Sequence, residues 1–214
     1  MSGLAEMTAV GLGLPAETFS SAGKYGYVQN APHSLCGFYV QHTYTPYRPH
    51  LLAPTASDLD KYGKVNTILA GFHTDLNFLT IHGRSRYPGL HIWARNTGRR
   101  IPVKIPPGNN LLVQAGKQLE HITGGLVKAG YHEVVVNERT MDVITQRKID
   151  HPDRPLVRIS STFFWHLSSD YDLVPVPELV EKAKEVRDEQ VGLGRDEGRE
   201  VEYLPMKVGE QVQR

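Results

Sequence analysis

The sequence lacks the usual marks of a secreted, membrane-spanning or nucleic-acid-binding protein. Cys36 is the one cysteine among 214 residues, so no disulfide can form within the chain, and a reducing compartment is the simplest expectation. No apolar run approaches the roughly 20 residues that cross a bilayer, and the N-terminus lacks the basic start and apolar segment of a signal peptide. The 24 basic and 23 acidic residues nearly cancel, which gives no electrostatic reason to expect nucleic acid or a membrane surface as a partner. We therefore expect a soluble, cytoplasmic protein.

Short β-prone runs separated by turns dominate the sequence from about residue 65 onward. Apolar residues make up 40% of the chain, which is enough for a core. Apolar and polar residues alternate on both sides of the turn residues 96–98, which predicts a β-hairpin over 89–105. Further strands are predicted over 76–82, 111–115, 132–137 and 156–166, and more weakly over 37–42. Many short strands with Gly/Pro turns indicate a mainly β sandwich or barrel.

A few helices and a division into three parts complete the predicted organisation. Helices are predicted over 4–10, 117–122 and 178–190, within 139–147 of the polar insertion 138–155, and near the C-terminus. A flexible linker is expected over 192–198. The predicted parts are an N-terminal helix with a tyrosine-rich segment (1–48), the β-rich domain (49–176) and a C-terminal helical tail (177–214).

The pair His73-Thr74-Asp75 is the first candidate for a metal site. On an extended strand, residues i and i+2 point to the same face, so His73 and Asp75 can reach one ion. His132 begins the apolar run 132–136 and can supply a second imidazole. Two imidazoles and a carboxylate bind one face of a ferrous ion and leave three positions open for chemistry. The sequence therefore favours a catalytic iron site, although a histidine such as His132 is, in isolation, more often a core residue.

Two other histidines compete for a place in such a site. His121 is an alternative third ligand, but it follows Glu120 in a predicted helical turn and is less favoured. A second His-x-Asp, formed by His151 and Asp153, lies in the polar insertion, and the intervening proline disfavours a central strand. We therefore expect His151 and Asp153 not to bind the metal.

Arg158-Ile159-Ser160 is the only Arg-x-Ser in the chain. A guanidinium offers two parallel donors that match a carboxylate, and the hydroxyl of Ser160 can add a third hydrogen bond. The alternative is an arginine that points outward from an edge strand. The aromatic run 163–165 favours a core strand instead, and an arginine buried there would need an anionic partner. We interpret Arg158 and Ser160 as a clamp for a carboxylate ligand.

Together these motifs resemble the iron(II)- and 2-oxoglutarate-dependent dioxygenases, in the branch of the isopenicillin N synthase-like and deacetoxycephalosporin synthase-like enzymes. The resemblance covers about residues 50–180 and implies a double-stranded β-helix, or jelly roll. It implies that His73, Asp75 and His132 hold Fe(2+), and that Arg158 and Ser160 bind the far carboxylate of 2-oxoglutarate; ascorbate is a further cofactor that it allows. The implied reaction is hydroxylation, desaturation or ring closure of a small molecule by O2, with succinate and CO2 as co-products. The matching text is GFHTDLNFLTIHG, YPGLHIWARNTGRRIPVKIPPGNNLLVQAGKQLEHITGG, GYHEVVV and RISSTFFWHLSSD.

The chain also departs from the pattern of that family. Family members normally carry a longer N-terminal segment, so we expect part of the family fold to be missing here. The gap of 26 residues from His132 to Arg158 is long, because of the insertion 138–155. The Asn/Tyr pair that helps to hold the co-substrate in many members has no counterpart within Leu51–Asp58, where Thr55 and Ser57 are the candidates.

Three alternatives therefore stay open beside the dioxygenase. They are a truncated, weakly active or inactive jelly-roll protein, an iron oxidase that does not use 2-oxoglutarate, and a non-enzymatic β-barrel binding module. If the chain is an enzyme, Arg84 and Arg86 follow the first-ligand region and can attract an acidic substrate; the alternative is that both are solvated loop charges.

Overall fold

The computed structural model describes residues 2–19, 56–95, 97–160, 162–167, 171–193 and 201–213. These residues form short antiparallel strands with helices at their edges. The strands are β1 (Ala56–Asp58), β2 (Ile68–His73), β3 (Leu79–His82), β4 (Leu90–Trp93), β5 (Arg100–Pro102), β6 (Leu112–Ala115), β7 (His132–Val135), β8 (Val157–Ile159), β9 (Thr162–Trp165), β10 (Asp172–Leu173) and β11 (Met206–Lys207). The helices are α1 (Ser2–Gly11), a 3-10 turn (Ala16–Phe19), α2 (Leu59–Tyr62), α3 (Lys117–Ile122), α4 (Glu138–Asp150), α5 (Pro177–Gly192) and α6 (Val208–Gln213). No helix among these residues is long and apolar enough to cross a membrane.

Two antiparallel sheets form the body of the protein. One has the strand order β2-β7-β4-β5 and the other the order β6-β3-β9, while β1-β8 and β10-β11 form separate two-stranded ladders. Most neighbours in each sheet are distant in sequence, which is the connectivity of a double-stranded β-helix. The predicted mainly β jelly roll is therefore confirmed.

Several predicted elements appear with the expected bounds. The hairpin predicted over 89–105 is formed by β4 and β5, with Ile92 opposite Ile101. Gly98 lies in its turn with a φ of 62°, a backbone conformation that favours glycine. The short helix over 117–122 is confirmed as α3, and the predicted helices near both termini are present as α1, α5 and α6.

The prediction of one long strand over 156–166 was wrong. The segment contains two strands that belong to different ladders, because β8 pairs with β1 while β9 pairs with β3. Alternation along a sequence indicates an extended chain, but it does not show where the chain passes from one partner to another. Ser160 therefore follows β8 rather than continuing it.

Two further boundaries differ from prediction. The strand predicted from residue 76 begins only at Leu79, because the backbone carbonyls of Asp75 and Leu76 accept hydrogen bonds from the start of α3 instead of from a strand. The short helix predicted within the polar insertion is a 13-residue helix, α4. Asn137 caps its first turn in a reciprocal pair with Thr140, an arrangement that satisfies two free backbone amides.

Some predictions fall outside the described residues or are not tested by the structure. The tyrosine-rich segment, the weak strand over 37–42, Thr55 and nearly all of the linker over 192–198 lie outside the described residues. The division of the chain at residues 48 and 176 stays a prediction.

The described residues form two apolar core clusters, a larger and a smaller one. The larger cluster joins α1, the 3-10 turn, α3, β9 and α5, and Phe78 contacts both Phe19 and Trp165 there. The smaller cluster packs Ile144 of α4 with Leu59, Tyr87 and Leu156.

Candidate metal centre

The pairing of β2 with β7 brings the two predicted histidine ligands together. His73 and His132 are direct partners in this antiparallel ladder, and directly opposite side chains project from the same face of a sheet. Their ring centroids lie 4.2 Å apart. His132 is buried, whereas the side chain of His73 is 46% exposed. One imidazole is therefore rigidly enclosed and the other lies at the mouth of the site.

Asp75 reaches the same place from just beyond the strand. Strand β2 ends at His73, so the expected strand alternation does not position the carboxylate. The hydroxyl of Thr80, which is fully buried, donates a hydrogen bond of 2.6 Å to Oδ2 of Asp75. The amide of Asn77 donates to the same hydroxyl at 3.0 Å. The second carboxylate oxygen is thus held toward the two imidazoles.

The three side chains have the spacing that one metal ion requires. Oδ1 of Asp75 lies 3.6 Å from Nε2 of His73 and 3.7 Å from Nε2 of His132. Two ligands of one ion at bonds of about 2.1 Å lie no more than roughly 4.2 Å apart. All three residues offer ligand atoms within 4.8 Å of one another, and no other His/Cys/Asp/Glu cluster in the described part of the chain meets this criterion. The predicted triad is therefore brought together.

The backbone prepares the imidazole of His73 to offer Nε2. Its Nδ1 lies 2.6 Å from the carbonyl oxygen of Gly71. A carbonyl only accepts, so it favours a proton on Nδ1 and a free lone pair on Nε2. Burial lowers the pKa of His132, against the opposing effect of the Asp75 charge. The neutral imidazole that a metal needs is therefore favoured.

A second layer of polar side chains was not predicted from the sequence. The amide of Gln114 donates to the carbonyl oxygen of Gly130 at 2.6 Å and lies 2.7 Å from Nδ1 of His132. Its carbonyl oxygen lies 3.0 Å from Nε2 of His82. Gln114 is the direct partner of Thr80 in the ladder of β3 and β6, so one cross-strand pair supports two of the three candidate ligands. The sequence does show the polar residues Thr80 and His82 two positions apart in a β-prone run. It does not show that this run pairs with the strand that contains Gln114.

Arg158 and Ser160 lie in the same cleft as the triad. The cleft has a volume of about 1510 Å³, and its lining includes His73, Asp75, His132, Arg158 and Ser160. Arg158 is buried, and its Nε has no hydrogen-bond partner among the described residues. Burial lowers the pKa of this guanidinium. An unpaired buried cation is costly unless an anion accompanies it, so the position suits a ligand carboxylate.

The remaining candidate residues lie either outside the lining of this cleft or in the lining without belonging to the triad. His121 packs edge-on against Tyr203 outside the cleft lining, and His151 ends α4 in an exposed position. Ser57 is buried as the direct ladder partner of Arg158. Arg84 and Arg86 line the cleft.

Solved structures with similar folds support the architecture. A full-length Neurospora crassa protein, solved in complex with alpha-KG, matches with a TM-score of 0.57 at 18% identity, over 98% of this chain and 50% of that chain. JOX2 in complex with 2OG, Fe and JA matches with a TM-score of 0.54 at 19% identity, over 98% of this chain and 46% of that chain. At these identities the likeness shows the fold, and the chain spans about half the length of these proteins.

A curated relative shares part of the sequence. It is the protein named peptide transporter imqJ from Aspergillus flavus, which is 29% identical over 111 residues. The matched stretch is 50% of this chain and 21% of that protein, so the chain spans about a fifth of that relative's length.

The family of the chain follows from a match over most of its length. The family model of the 2OG-Fe(II) oxygenase superfamily matches residues 36–167. This span contains the triad, Arg158 and Ser160. The predicted family is confirmed, while the isopenicillin N synthase-like branch stays a prediction. The chain belongs to the 2OG-Fe(II) oxygenase superfamily, a family of dioxygenase oxidoreductases that use Fe(2+) and 2-oxoglutarate.

Proposed function

We propose that this protein is an Fe(II)- and 2-oxoglutarate-dependent dioxygenase that oxidises a small molecule. The observation that carries the proposal is a single cleft that combines the His73, Asp75 and His132 triad with the buried, unpaired Nε of Arg158. A metal-binding face and a carboxylate-binding cation are the two recognition elements that this chemistry needs. Neither element alone would favour it over a structural metal site or a simple anion site.

The triad would hold the ferrous ion from one side only. Nε2 of His73, Oδ1 of Asp75 and Nε2 of His132 would be the three donors, a set that suits a ferrous ion, and all three residues line the cleft. When bound, the iron would activate O2, while oxidative decarboxylation of 2-oxoglutarate to succinate and CO2 would supply two of the four electrons that O2 accepts and the substrate would supply the other two. The protein's part is to orient the ring of His73 through Gly71 and the carboxylate of Asp75 through Thr80. Burial favours the neutral form of His132.

Arg158 and Ser160 would orient the co-substrate by its far carboxylate. The guanidinium is buried, so its attraction to a carboxylate is screened less than it would be at the surface. Ser160 lies at the end of β8 and lines the same cleft, where its hydroxyl is 3.4 Å from that of Thr162.

Binding of iron and then 2-oxoglutarate without oxygen tests the proposal. Purified protein receives Fe(II) and then 2-oxoglutarate anaerobically, and the weak visible charge-transfer band of the complex is recorded. We expect a band in the wild type, no iron binding in His132→Ala, and an unchanged band in His151→Ala, a matched exposed histidine. The proposal fails if the wild type binds no iron, or binds iron but shows no band with 2-oxoglutarate.

A further inference from the structure

Four exposed cations line the cleft that contains the triad. Arg84 and Arg86 lie in the segment between β3 and β4, Lys104 follows β5, and Arg139 is the second residue of α4. All four belong to the lining of that one cleft. We call these four residues the cationic rim.

Hydrogen bonds hold the three segments of the cationic rim against one another. The hydroxyl of Thr140 in α4 donates to the carbonyl oxygen of Pro88 at 2.9 Å. The backbone amide of Val103 donates to the carbonyl oxygen of Leu90 at 2.9 Å. The start of α4, the segment before β4 and the segment after β5 are therefore fixed together, although 52 residues separate Pro88 from Thr140 along the chain.

Among the described residues, no carboxylate balances the charges of the cationic rim. Within the described residues, no carboxylate forms a salt bridge with any of the four. Among the same residues, Asp75 is the only acidic one that lines the cleft. With the proposed ligands bound, the ferrous ion and Arg158 would offset Asp75 and both carboxylates of 2-oxoglutarate. The four rim cations would then have no counter-charge among the described residues that line the cleft.

The positive charge of Arg139 lies at the end of α4 where a cation is unfavourable. A cation in the first turn of a helix is opposed by the helix dipole, typically by about 0.3–1 kcal/mol. Arg139 therefore does not stabilise α4, and the partial positive charge at this helix end adds to the field of the rim. Charges of one sign around an apolar cleft concentrate that field and attract ions of the opposite sign.

Another part of the cleft lining, which we call the wall, is apolar. Leu90, Ile105, Val134 and Phe164 line the cleft together with the rim residues. A ligand that fits both surfaces has an apolar body and an anionic group. A purely polar anion would leave the wall unused, and a neutral apolar ligand would leave the cations unused.

We propose that the substrate is an amphiphilic organic anion whose carboxylate or phosphate group binds the cationic rim while its apolar body lies against this wall, near the triad. The inference rests on the proposed function, because it places the oxidised carbon beside the metal. It names a substrate class that neither the family nor the similar structures assign to this chain. The anion at the rim is distinct from the 2-oxoglutarate carboxylate at Arg158.

Paired probes of equal shape test the inference. A series of phenylalkanoates and the corresponding amides is titrated calorimetrically into anaerobic protein saturated with Fe(II) and 2-oxoglutarate. We expect the best acid to bind at least about tenfold more tightly than its amide, which corresponds to roughly 1.4 kcal/mol. The preference should shrink when the salt is raised from about 0.1 M to about 1 M, because the screening length falls from about 10 Å to about 3 Å.

Two double variants separate the rim from general surface charge. Arg84→Gln with Arg139→Gln should abolish the preference for the acid while amide binding is retained. Arg99→Gln with Arg154→Gln removes the same charge from exposed residues outside the cleft lining and should keep the preference. Equal binding of acid and amide, binding of neither probe, or equal loss in both double variants would overturn the inference.

The visible band of the same samples separates this result from the proposed function. A band that persists while the acid shows no preference refutes the anionic substrate class and leaves the dioxygenase intact. Loss of the band when an acid is added shows that the acid displaces 2-oxoglutarate, which also overturns binding at the rim. A wild type without any band refutes the dioxygenase itself.

Discussion

Replacement of Thr80 by valine should weaken metal binding without removing any candidate ligand. The hydroxyl of Thr80 donates a 2.6 Å hydrogen bond to Oδ2 of Asp75, and both residues are buried. Valine has nearly the same shape but no donor, so the carboxylate loses the contact that directs Oδ1 toward the imidazoles. Loss of a partner that orients a metal ligand typically costs about 10- to 100-fold in metal affinity. We expect the dissociation constant for Mn(II) or Fe(II) to rise by that factor.

The same bond also contributes to the stability of the metal-free protein. Hydrogen bonds to charged groups contribute roughly 1.5–3 kcal/mol to the free energy of unfolding, and we expect Thr80→Val to lose about this amount. Metal affinity is measured by anaerobic calorimetry, and stability by urea unfolding. Thr80→Ser keeps the donor and should bind metal nearly as the wild type does. The reasoning is refuted if folded Thr80→Val binds metal with wild-type affinity, or if Thr80→Ser is as impaired as valine.

Four further predictions concern the clamp, the second polar layer, a buried histidine and a steric contact. Arg158→Ala should weaken 2-oxoglutarate by roughly 2–5 kcal/mol, because it removes a buried charge-assisted contact, while calorimetry shows iron still bound; unaltered 2-oxoglutarate affinity would exclude the clamp. Gln114→Leu should lower metal affinity about 10- to 100-fold by releasing the ring of His132, and an unchanged dissociation constant would show that the backbone alone orients it. His166 is buried, and burial lowers its pKa to about 4, whereas an unfolded histidine titrates near 6.5. The unfolded chain therefore binds more protons between about pH 6.5 and pH 4, so the free energy of unfolding falls by up to about 3 kcal/mol as the pH drops through this window; urea unfolding of metal-free His166→Gln should show a weaker decline. Gly116→Ala should destabilise the fold by more than about 1 kcal/mol, because a β-carbon would collide with a backbone carbonyl oxygen of the loop before β3; a thermal midpoint equal to that of the wild type would contradict this.

The candidate ligands could be predicted because their chemistry and chain order are readable in one dimension. His73 and Asp75 are near neighbours, and His132 begins an apolar run, so their types and surroundings indicate an iron site. The reason given for the first pair was only partly correct, since β2 ends at His73 and Asp75 is positioned by Thr80. The three side chains come together all the same, and their role as metal ligands stays a prediction.

The strand containing Arg158 shows where sequence periodicity stops being informative. Residues 156–166 are β-prone, but β8 and β9 pair with strands from different parts of the chain. Periodicity reports which faces of an extended segment are apolar, and it carries no information on the partner strand. The second polar layer was missed for the same reason, because Gln114 meets Thr80 only through the register of β3 and β6.

The sequence by itself determined the donor types, their order along the chain and the mainly β class, because these depend on side-chain chemistry and local periodicity. Tertiary structure alone decided that His73 faces His132, that Thr80 directs the carboxylate of Asp75, and that four separate cations surround one cleft. These features depend on strand register and on contacts between residues far apart in sequence. Register is set by the packing of whole sheets, so no local pattern contains it.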